Sequence, residues 1–158
     1  MLYDKDIREP LFEFLEETYG KMRIIEEKQV GRSRADIVMV LPGRLTGIEI
    51  KSDADTYVRL ERQVRDYDRY FDQNIVVAGS THGAHVQEHV PEWWGIITVE
   101  QTQEGIDFYI RREAGKNPQM NWKRKLSLLW RPELVHIQEL TQMPRYKEKS
   151  KAFVIEKI

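Results

Sequence analysis

Two segments of the chain carry apolar residues at three- and four-residue steps, the spacing of an amphipathic helix. The first covers residues 4–19 and ends before Gly20, which suits a helix C-cap. Because proline is tolerated best in a first turn, Pro10 predicts that the regular part begins near Glu9. The second covers residues 56–71 and has the clearer apolar stripe. Both are predicted to be helices with one buried face.

Shorter apolar or alternating runs between and after these helices predict β-strands. The predicted strands are residues 22–27, 34–40, 47–51, 75–79, 95–100 and 106–111. In chain order the pattern is helix, three strands, helix and strand, followed by a second hairpin. This order predicts an α/β fold with a central mixed β-sheet flanked by helices.

The chain length of 158 residues fits a single domain. Its core is predicted over about 4–112, and a C-terminal extension over about 113–158. The extension is predicted to be helical over 123–130 or onward to 140, and to end in an edge strand over 153–155.

The second and third predicted strands form a hairpin around Pro42-Gly43, a strong turn sequence. A symmetric turn sets Asp36 directly opposite Glu49, and opposed residues on one face have Cβ atoms about 4.5–5.5 Å apart. Lys51 lies two residues beyond Glu49 and therefore points to the same face. The hairpin is predicted to carry two carboxylates and an amine together at one end.

Two opposed carboxylates repel each other, and an apolar hairpin does not carry them without compensation. A hard cation supplies that compensation, and Mg²⁺ favours one or two carboxylates with waters and phosphate oxygens. Lys51 would then orient or activate a water, or stabilise charge on a phosphate. The alternative is an ion pair at the strand ends of a purely structural hairpin.

These residues carry a resemblance to a known family. Asp36 followed by Glu49-Ile50-Lys51 resembles the motif of the PD-(D/E)XK nuclease superfamily, although Ala35 stands where that family usually has proline. Gln63 and Tyr67 resemble the Gln-x-x-x-Tyr helix motif of its RecB-like branch. The chain is also similar to small bacterial and phage nuclease-like proteins of unassigned role.

The resemblance spans roughly residues 4–100 and implies a restriction-endonuclease-like core with the order αβββαβ. It also implies a function, the hydrolysis of phosphodiester bonds in DNA with Mg²⁺ or Mn²⁺ as cofactor. In that interpretation Asp36 and Glu49 bind the metal, Lys51 assists hydrolysis, and Gln63 hydrogen-bonds a water or a phosphate. Tyr67 is interpreted first as a core residue and second as support for the site.

Many members of the superfamily add an acidic residue upstream of this motif. The candidates are Glu16 and Glu17 on the first helix, and Glu26 and Glu27 on the first strand. Glu27 is the favoured third metal ligand, followed by Glu17. The alternative is that these charges form the solvated face of their elements.

Two aspartates lie between the third strand and the second helix. Asp53 and Asp55 are interpreted as caps of that helix, with Asp55 or Thr56 at its N-cap position. The alternative is a second acidic pair at the rim of the cleft.

Basic residues and two tryptophans occur together from Arg111, at the end of the last strand predicted in the core, onwards. Such a mixture suits a phosphate backbone and stacked bases, so this segment is the predicted DNA-binding surface. Its basic residues are Arg111, Arg112, Lys123, Arg124 and Lys125, with Trp122 and Trp130 among them. The alternative is an aromatic core with a solvated basic flank.

Composition narrows the classes of protein that fit. The formal net charge of −1 disfavours a protein that coats DNA nonspecifically, although local basic patches remain compatible with DNA binding. Cysteine is absent, which excludes disulfides and thiolate metal sites. No run of about eighteen apolar residues predicts a membrane span, and the N-terminus does not resemble a signal peptide. We therefore expect a cytoplasmic protein.

A second function is compatible with the same motifs. The chain would then be a catalytically silent, nuclease-like accessory subunit of a repair, restriction or phage-related system. It would bind DNA, a second copy of itself or a protein partner. This hypothesis predicts DNA binding that needs no metal and that is unaffected by Lys51→Ala.

Overall fold

The computed structural model of the protein describes residues 2–79, 83 and 85–128. Its described elements, in chain order, are α1 (Asp4–Tyr19), β1 (Arg23–Val30), β2 (Ser33–Leu41), β3 (Arg44–Lys51), α2 (Leu60–Tyr70), β4 (Gln73–Gly79), a short 3₁₀ turn (Val86–Glu88), β5 (Gly95–Thr102), β6 (Gly105–Arg112) and α3 (Trp122–Ser127). The predicted order of a helix, three strands, a helix and a strand is confirmed.

The six strands form one mixed sheet in the order β1-β2-β3-β4-β5-β6. The pairs β1–β2, β2–β3 and β5–β6 are antiparallel, whereas β3–β4 and β4–β5 are parallel. Parallel neighbours need a crossover, and α2 supplies the one between β3 and β4. The predicted α/β class with a central mixed sheet is therefore confirmed.

Helices cover the two faces of the sheet, because successive side chains along a strand point to opposite faces. On one face α1 buries Ile7, Leu11 and Leu15 against a cluster that includes Ile37 and Ile48. On the other face α2 packs against the alternate residues of the same strands. That second cluster includes Val38, Leu60, Val64, Tyr67, Phe71, Val76 and Trp94.

The register of the β2–β3 hairpin is the predicted one. Leu41 pairs with Arg44, and the ladder continues to Ile37 opposite Ile48. Gly43 has a φ of +76°, which suits the third position of a type II turn. One further step in this register sets Asp36 opposite Glu49, on the face that packs against α2.

Two predictions about helix starts are wrong. The first helix covers the predicted residues 4–19, but it is regular from Asp4 rather than from near Glu9, with Pro10 inside it. The buried apolar face of α1 outweighs the hydrogen bond that proline cannot make. The second helix begins at Leu60, not at residue 56. Asp55 does not cap it, because its carboxylate accepts hydrogen bonds from the Ser52 amide and hydroxyl.

The end of the chain is only partly described. Helix α3 covers Trp122–Ser127, where a helix from Lys123 was predicted. The predicted continuation to residue 140, Trp130 and the edge strand over 153–155 lie outside the described residues. Within the described residues, no helix has both the length and the apolar character needed to cross a membrane.

Gly47 has no side chain, and this allows α2 to pack closely against β3. A Cβ at this position would lie 2.7 Å from Cε2 of Phe71, the C-cap residue of α2, and would overlap Cδ2 of the same ring. Gly47→Ala is therefore expected to destabilise the protein by about 1–3 kcal/mol through overpacking. Gly115→Ala is the matched control, because a Cβ there meets no atom closer than 3.7 Å. Urea unfolding measures both, and equal free energies of unfolding would contradict the close approach.

Candidate active site

A polar cleft of about 410 Å³ opens at the ends of β2 and β3 that lie away from their Pro42-Gly43 turn. Three of its lining residues are Asp36, Glu49 and Lys51, which share one face of the hairpin as the sequence predicted. Helix α2 forms one wall and contributes Gln63. The four residues predicted to do the chemistry therefore surround a single cleft.

Glu49 is the most enclosed carboxylate of the cleft, with only 4% of its surface exposed. The Tyr67 hydroxyl donates a hydrogen bond to Oε2 of this carboxylate. The Gln63 amide nitrogen donates to Oε1 at 3.0 Å, and the Lys51 amine lies 3.9 Å from the same oxygen. Three side chains from two elements thus hold Glu49 in one orientation.

Asp36 is held mainly by backbone groups. Its Oδ2 accepts a hydrogen bond from the amide of Ile50 at 2.8 Å, across the hairpin. Its own amide donates to the Tyr67 hydroxyl at 3.2 Å, so that Tyr67 links Asp36 to Glu49. The prediction that Tyr67 is a core residue is confirmed, since it is fully buried, and its hydroxyl also contacts the site.

Burial changes the acidity of this acid pair, Asp36 and Glu49. Loss of solvent raises the pKa of Asp36 from 3.8 to about 6. Burial, followed by the nearby charge of Asp36, raises the pKa of Glu49 from 4.5 to about 8. Burial and the Glu49 charge also raise the pKa of Tyr67 well above its usual value. Around neutral pH the acid pair therefore retains a proton unless a cation replaces it.

Gln63 and Lys51 complete the floor of the cleft. Lys51 is 5% exposed, which is rare for a lysine and places its charge next to the acid pair. The Gln63 carbonyl oxygen is buried and has no hydrogen-bond partner among the described residues. A buried carbonyl oxygen without a partner is costly, and a water or a cation in the cleft would satisfy it.

Glu27 borders the same cleft. Its neighbours Glu26 and Lys28 pair with Ile37 and Ala35, which sets Glu27 opposite Asp36. The backbone of Glu27 is left-handed, with a φ of +55°, a conformation that costs a residue of this type about 1–3 kcal/mol. Such strain is commonest where a functional side chain must be aimed, which favours Glu27 among the upstream acids.

Arg8 from α1 forms ion pairs with several of these acidic residues. Its guanidinium lies 2.5 Å from Glu27 Oε1 and 3.4 Å from Asp36 Oδ1, and it also contacts Asp4 and Glu26. Sequence reasoning missed this residue, because a single arginine on an amphipathic helix has no distinguishing signal. Arg8 offsets part of the negative charge at the edge of the cleft.

The donor atoms of the cleft suit a hard divalent cation. Among the described residues, no group of three or more His, Cys, Asp or Glu side chains is arranged to hold a metal ion. Mg²⁺ and its relatives, however, usually take only one or two carboxylates and keep several waters. The carboxylates of Asp36 and Glu49, with the unpartnered oxygen of Gln63, match that requirement.

Other predicted site residues do not line this cleft. Glu17 is exposed on α1. Arg111 donates to the Thr98 hydroxyl, and Arg112 donates to the carbonyls of Trp94 and Pro91. These two arginines thus support the β5–β6 region.

The predicted basic segment of α3 lies at the other end of the hairpin. The Lys125 amine is 2.8 Å from Asp72, which in turn accepts a hydrogen bond from the Leu45 amide beside the turn. Leu45 and Glu49 are four steps apart along β3, or about 13 Å. Lys123 and Arg124 are in the same short helix. The structure therefore does not bring this segment to the acid pair.

Comparisons with known proteins add a family but no activity. The whole chain, residues 1–158, matches the family described as Bacteriophage P4 protein cII. No curated protein matches the chain. The solved structure of SfsA from Pyrococcus furiosus in complex with Ca²⁺ is similar at 18% identity and a TM-score of 0.38, over 70% of this chain and 60% of that one. This chain thus spans less than two thirds of the length of that relative. Because the family match covers every residue, the protein belongs to the bacteriophage P4 cII family.

Proposed function

We propose that the protein is a divalent-metal-dependent nuclease of the PD-(D/E)XK type, with a restriction-endonuclease-like core, that hydrolyses phosphodiester bonds in DNA. The observation that carries the proposal is the convergence of Asp36, Glu49, Lys51 and Gln63 on one cleft. The sequence motif assigned these four residues to one reaction although they are separated in the chain. In the folded protein they line the same cleft.

Asp36 and Glu49 are the residues that would hold Mg²⁺ or Mn²⁺, with Glu27 as the candidate third ligand. A bound divalent cation supplies a water of lowered pKa and neutralises charge on a phosphate. The Ile50 amide and the Tyr67 hydroxyl keep the acid pair in place before substrate arrives. Such fixed donors avoid reorganisation during the reaction.

Lys51 would act on the substrate through its buried charge. Its amine can donate to a phosphate oxygen or to the attacking water, and Glu49 beside it keeps the amine aimed into the cleft. Positive charge in an enclosed site stabilises the growing negative charge of a phosphate more strongly than it would in water. Gln63 would use its free carbonyl oxygen to orient that water.

The test is to incubate the purified protein with supercoiled, linear and single-stranded DNA in Mg²⁺ or Mn²⁺. Cleavage that disappears with EDTA is expected. Absence of cleavage, together with measurable metal binding, would contradict an autonomous nuclease. That result would favour the accessory-subunit hypothesis and a search for a protein partner.

Stabilisation of the protein by Mg²⁺ is expected to increase with pH. The raised pKa values of Asp36 and Glu49, about 6 and about 8, mean that protons must leave before a cation binds. Between these two values one proton is displaced, so the affinity should rise about tenfold per pH unit. The melting temperature with and without Mg²⁺, measured across this pH range, tests the expectation.

The metal-free protein is expected to show the opposite trend. Because the folded-state pKa of Glu49 is above its ordinary 4.5, the protonated carboxyl favours the folded state. That stabilisation is fully present below about 4.5 and is lost as the pH rises through about 8. Glu49→Gln should reduce the pH dependence of the stabilisation by Mg²⁺ and also that of the stability of the metal-free protein. A Mg²⁺ effect that is independent of pH would contradict the assignment.

A further inference from the structure

Four arginines surround the opening of the cleft above the acid pair. Arg32 and Arg34 come from the β1–β2 turn and the start of β2, and Arg59 and Arg62 from the start of α2. All four are exposed, whereas the acid pair below them is largely buried. We call these four residues the arginine rim. The cleft therefore has a floor of buried acids and an edge of exposed cations.

The arginine rim has few anionic partners within the protein. Arg34 is 3.5 Å from Glu27, and this exposed pair contributes little. Arg32, Arg59 and Arg62 form no ion pair with any described residue. Guanidinium groups without an ion-pair partner are available for bidentate hydrogen bonds to phosphate.

The acidic residues at the edge of the cleft, by contrast, already have partners. Asp4 and Glu27 are bound to Arg8, and Asp55 accepts from the amide and hydroxyl of Ser52. They therefore do not compete strongly for the arginine rim. Arg32, Arg59 and Arg62 thus remain without an acidic partner among the described residues and can bind an approaching phosphate.

A buried contact fixes the two sides of the arginine rim relative to each other. The Ser33 hydroxyl donates to Asp66 of α2 at 2.5 Å, and both residues are buried. A Cβ at Gly31 would lie 2.7 Å from Asp66 Oδ1, so this turn fits tightly against α2. The backbone positions of Arg32 and of the α2 arginines are thus set before any ligand binds, which lowers the cost of binding.

The lining of the cleft also indicates which form of DNA fits. Among the described residues that line it, none is aromatic. Proteins that bind single strands usually stack bases on aromatic side chains, whereas contacts to a duplex backbone need only charge and hydrogen-bond donors. The cleft is equipped for phosphates and not for bases.

We propose that the arginine rim binds the phosphate backbone of double-stranded DNA and presents it to the acid pair. This inference rests on the proposed function and identifies its substrate surface. It places the DNA contacts at Arg32, Arg34, Arg59 and Arg62 and away from Lys123 to Lys125. The contacts are to the backbone, so binding is independent of base sequence.

The experiment measures binding separately from cleavage. A Lys51→Ala background in EDTA prevents hydrolysis, and fluorescence anisotropy follows a labelled duplex and a labelled single strand of one of its sequences. In the rim variant, all four rim arginines become glutamine. In the control variant, four other exposed basic residues become glutamine, which removes the same charge: Lys21, Arg44, Arg69 and Lys116.

The rim variant is expected to bind the duplex at least about tenfold more weakly, with the salt slope reduced by about 3 to 4, one unit for each lost phosphate contact. The control variant is expected to keep nearly the full slope, and the single strand to bind more weakly than the duplex. Equal losses in the two variants, or an unchanged slope in the rim variant, would overturn the proposal. Tighter binding of the single strand would overturn its choice of duplex DNA.

The two proposals fail in different ways. If the wild-type protein cleaves DNA but the rim variant binds the duplex as tightly as the protein with the arginine rim does, the proposed role of the arginine rim is wrong. The proposed nuclease function is then retained. Rim-dependent duplex binding without any cleavage by the wild-type protein would support the rim and overturn the nuclease. Circular dichroism of each variant confirms that the exposed substitutions leave the fold intact.

Discussion

Lys51→Ala is expected to lower the rate of DNA cleavage by about 10²- to 10⁴-fold, the range that a positioned proton-transfer group contributes. Lys51 is 5% exposed, and its amine lies at the acid pair. Apart from Lys51, the only described basic side chain in an ion pair with Asp36 or Glu49 is Arg8, which is occupied by four carboxylates. The variant therefore loses a charge that its neighbours cannot replace.

The affinity for Mg²⁺ should change far less than the rate. The charge of Lys51 lowers the pKa of Glu49, so its removal makes that carboxyl hold its proton more tightly. This indirect loss of metal affinity disappears at a pH above the pKa of Glu49. A cleavage defect that persists at such a pH and at saturating Mg²⁺ would identify a direct role of the amine.

Two further variants sharpen this prediction. Lys51→Met keeps most of the buried side-chain volume without the charge, so it separates chemistry from packing. Lys21→Ala removes an exposed lysine remote from the cleft lining and should leave the rate unchanged. Cleavage by Lys51→Met at the wild-type rate would exclude Lys51 from the reaction.

Asp36→Asn and Glu49→Gln are each expected to weaken Mg²⁺ binding by at least about 100-fold and to abolish cleavage. Loss of a residue that merely supports a ligand costs about 10- to 100-fold in metal affinity, and loss of a ligating carboxylate should cost no less. Both substitutions nearly preserve shape. The new amide oxygens can still accept the hydrogen bonds that the Ile50 amide donates to position 36 and the Tyr67 hydroxyl donates to position 49. At position 49 the amide nitrogen takes the place of Oε1, and Gln63 can turn its unpartnered carbonyl oxygen to accept from it. The two variants therefore remove the charge and keep the shape.

Isothermal titration calorimetry with Mg²⁺ and Mn²⁺ measures this loss directly. Glu17→Gln is the matched control, because Glu17 was a candidate ligand that lies exposed on α1 and outside the cleft lining. Glu27→Gln tests the third ligand, since Glu27 borders the cleft but is engaged by Arg8. Wild-type metal affinity in both Asp36→Asn and Glu49→Gln would rule out this site.

The stability of these variants should not fall with their metal affinity. The raised pKa values of Asp36 and Glu49 show that the ionised carboxylates oppose folding when no cation is present. Replacing either by its amide removes that cost at alkaline pH. We expect metal-free Glu49→Gln to melt no lower than the wild-type protein above a pH of about 8. Unfolding of both variants would point to a structural ion pair instead.

The sequence by itself determined the β2–β3 hairpin and one half of the site. The Pro42-Gly43 turn set the register of β2 and β3, because a tight turn fixes which residues pair across a hairpin. Asp36, Glu49 and Lys51 were therefore placed on one face by local rules alone. The order of helices and strands followed from the apolar periodicity in the same way.

The positions of the remaining site residues were decided only by the tertiary structure. Gln63 and Tyr67 reach Glu49 because Phe71 packs against the bare backbone of Gly47 and sets the rotation and distance of α2. Helix periodicity identified a buried stripe but could not say which strand residue it would face.

The charged surroundings of the site were likewise invisible in the sequence. Arg8 and the arginine rim belong to four separate elements or turns, and their charges meet only when the chain is folded. The clustered basic residues near α3 gave the stronger sequence signal, yet Lys125 pairs with Asp72 at the opposite end of the hairpin. Local patterns specify how a segment folds, whereas a charged site arises from contacts between distant segments, whose distances depend on the packing of the whole core.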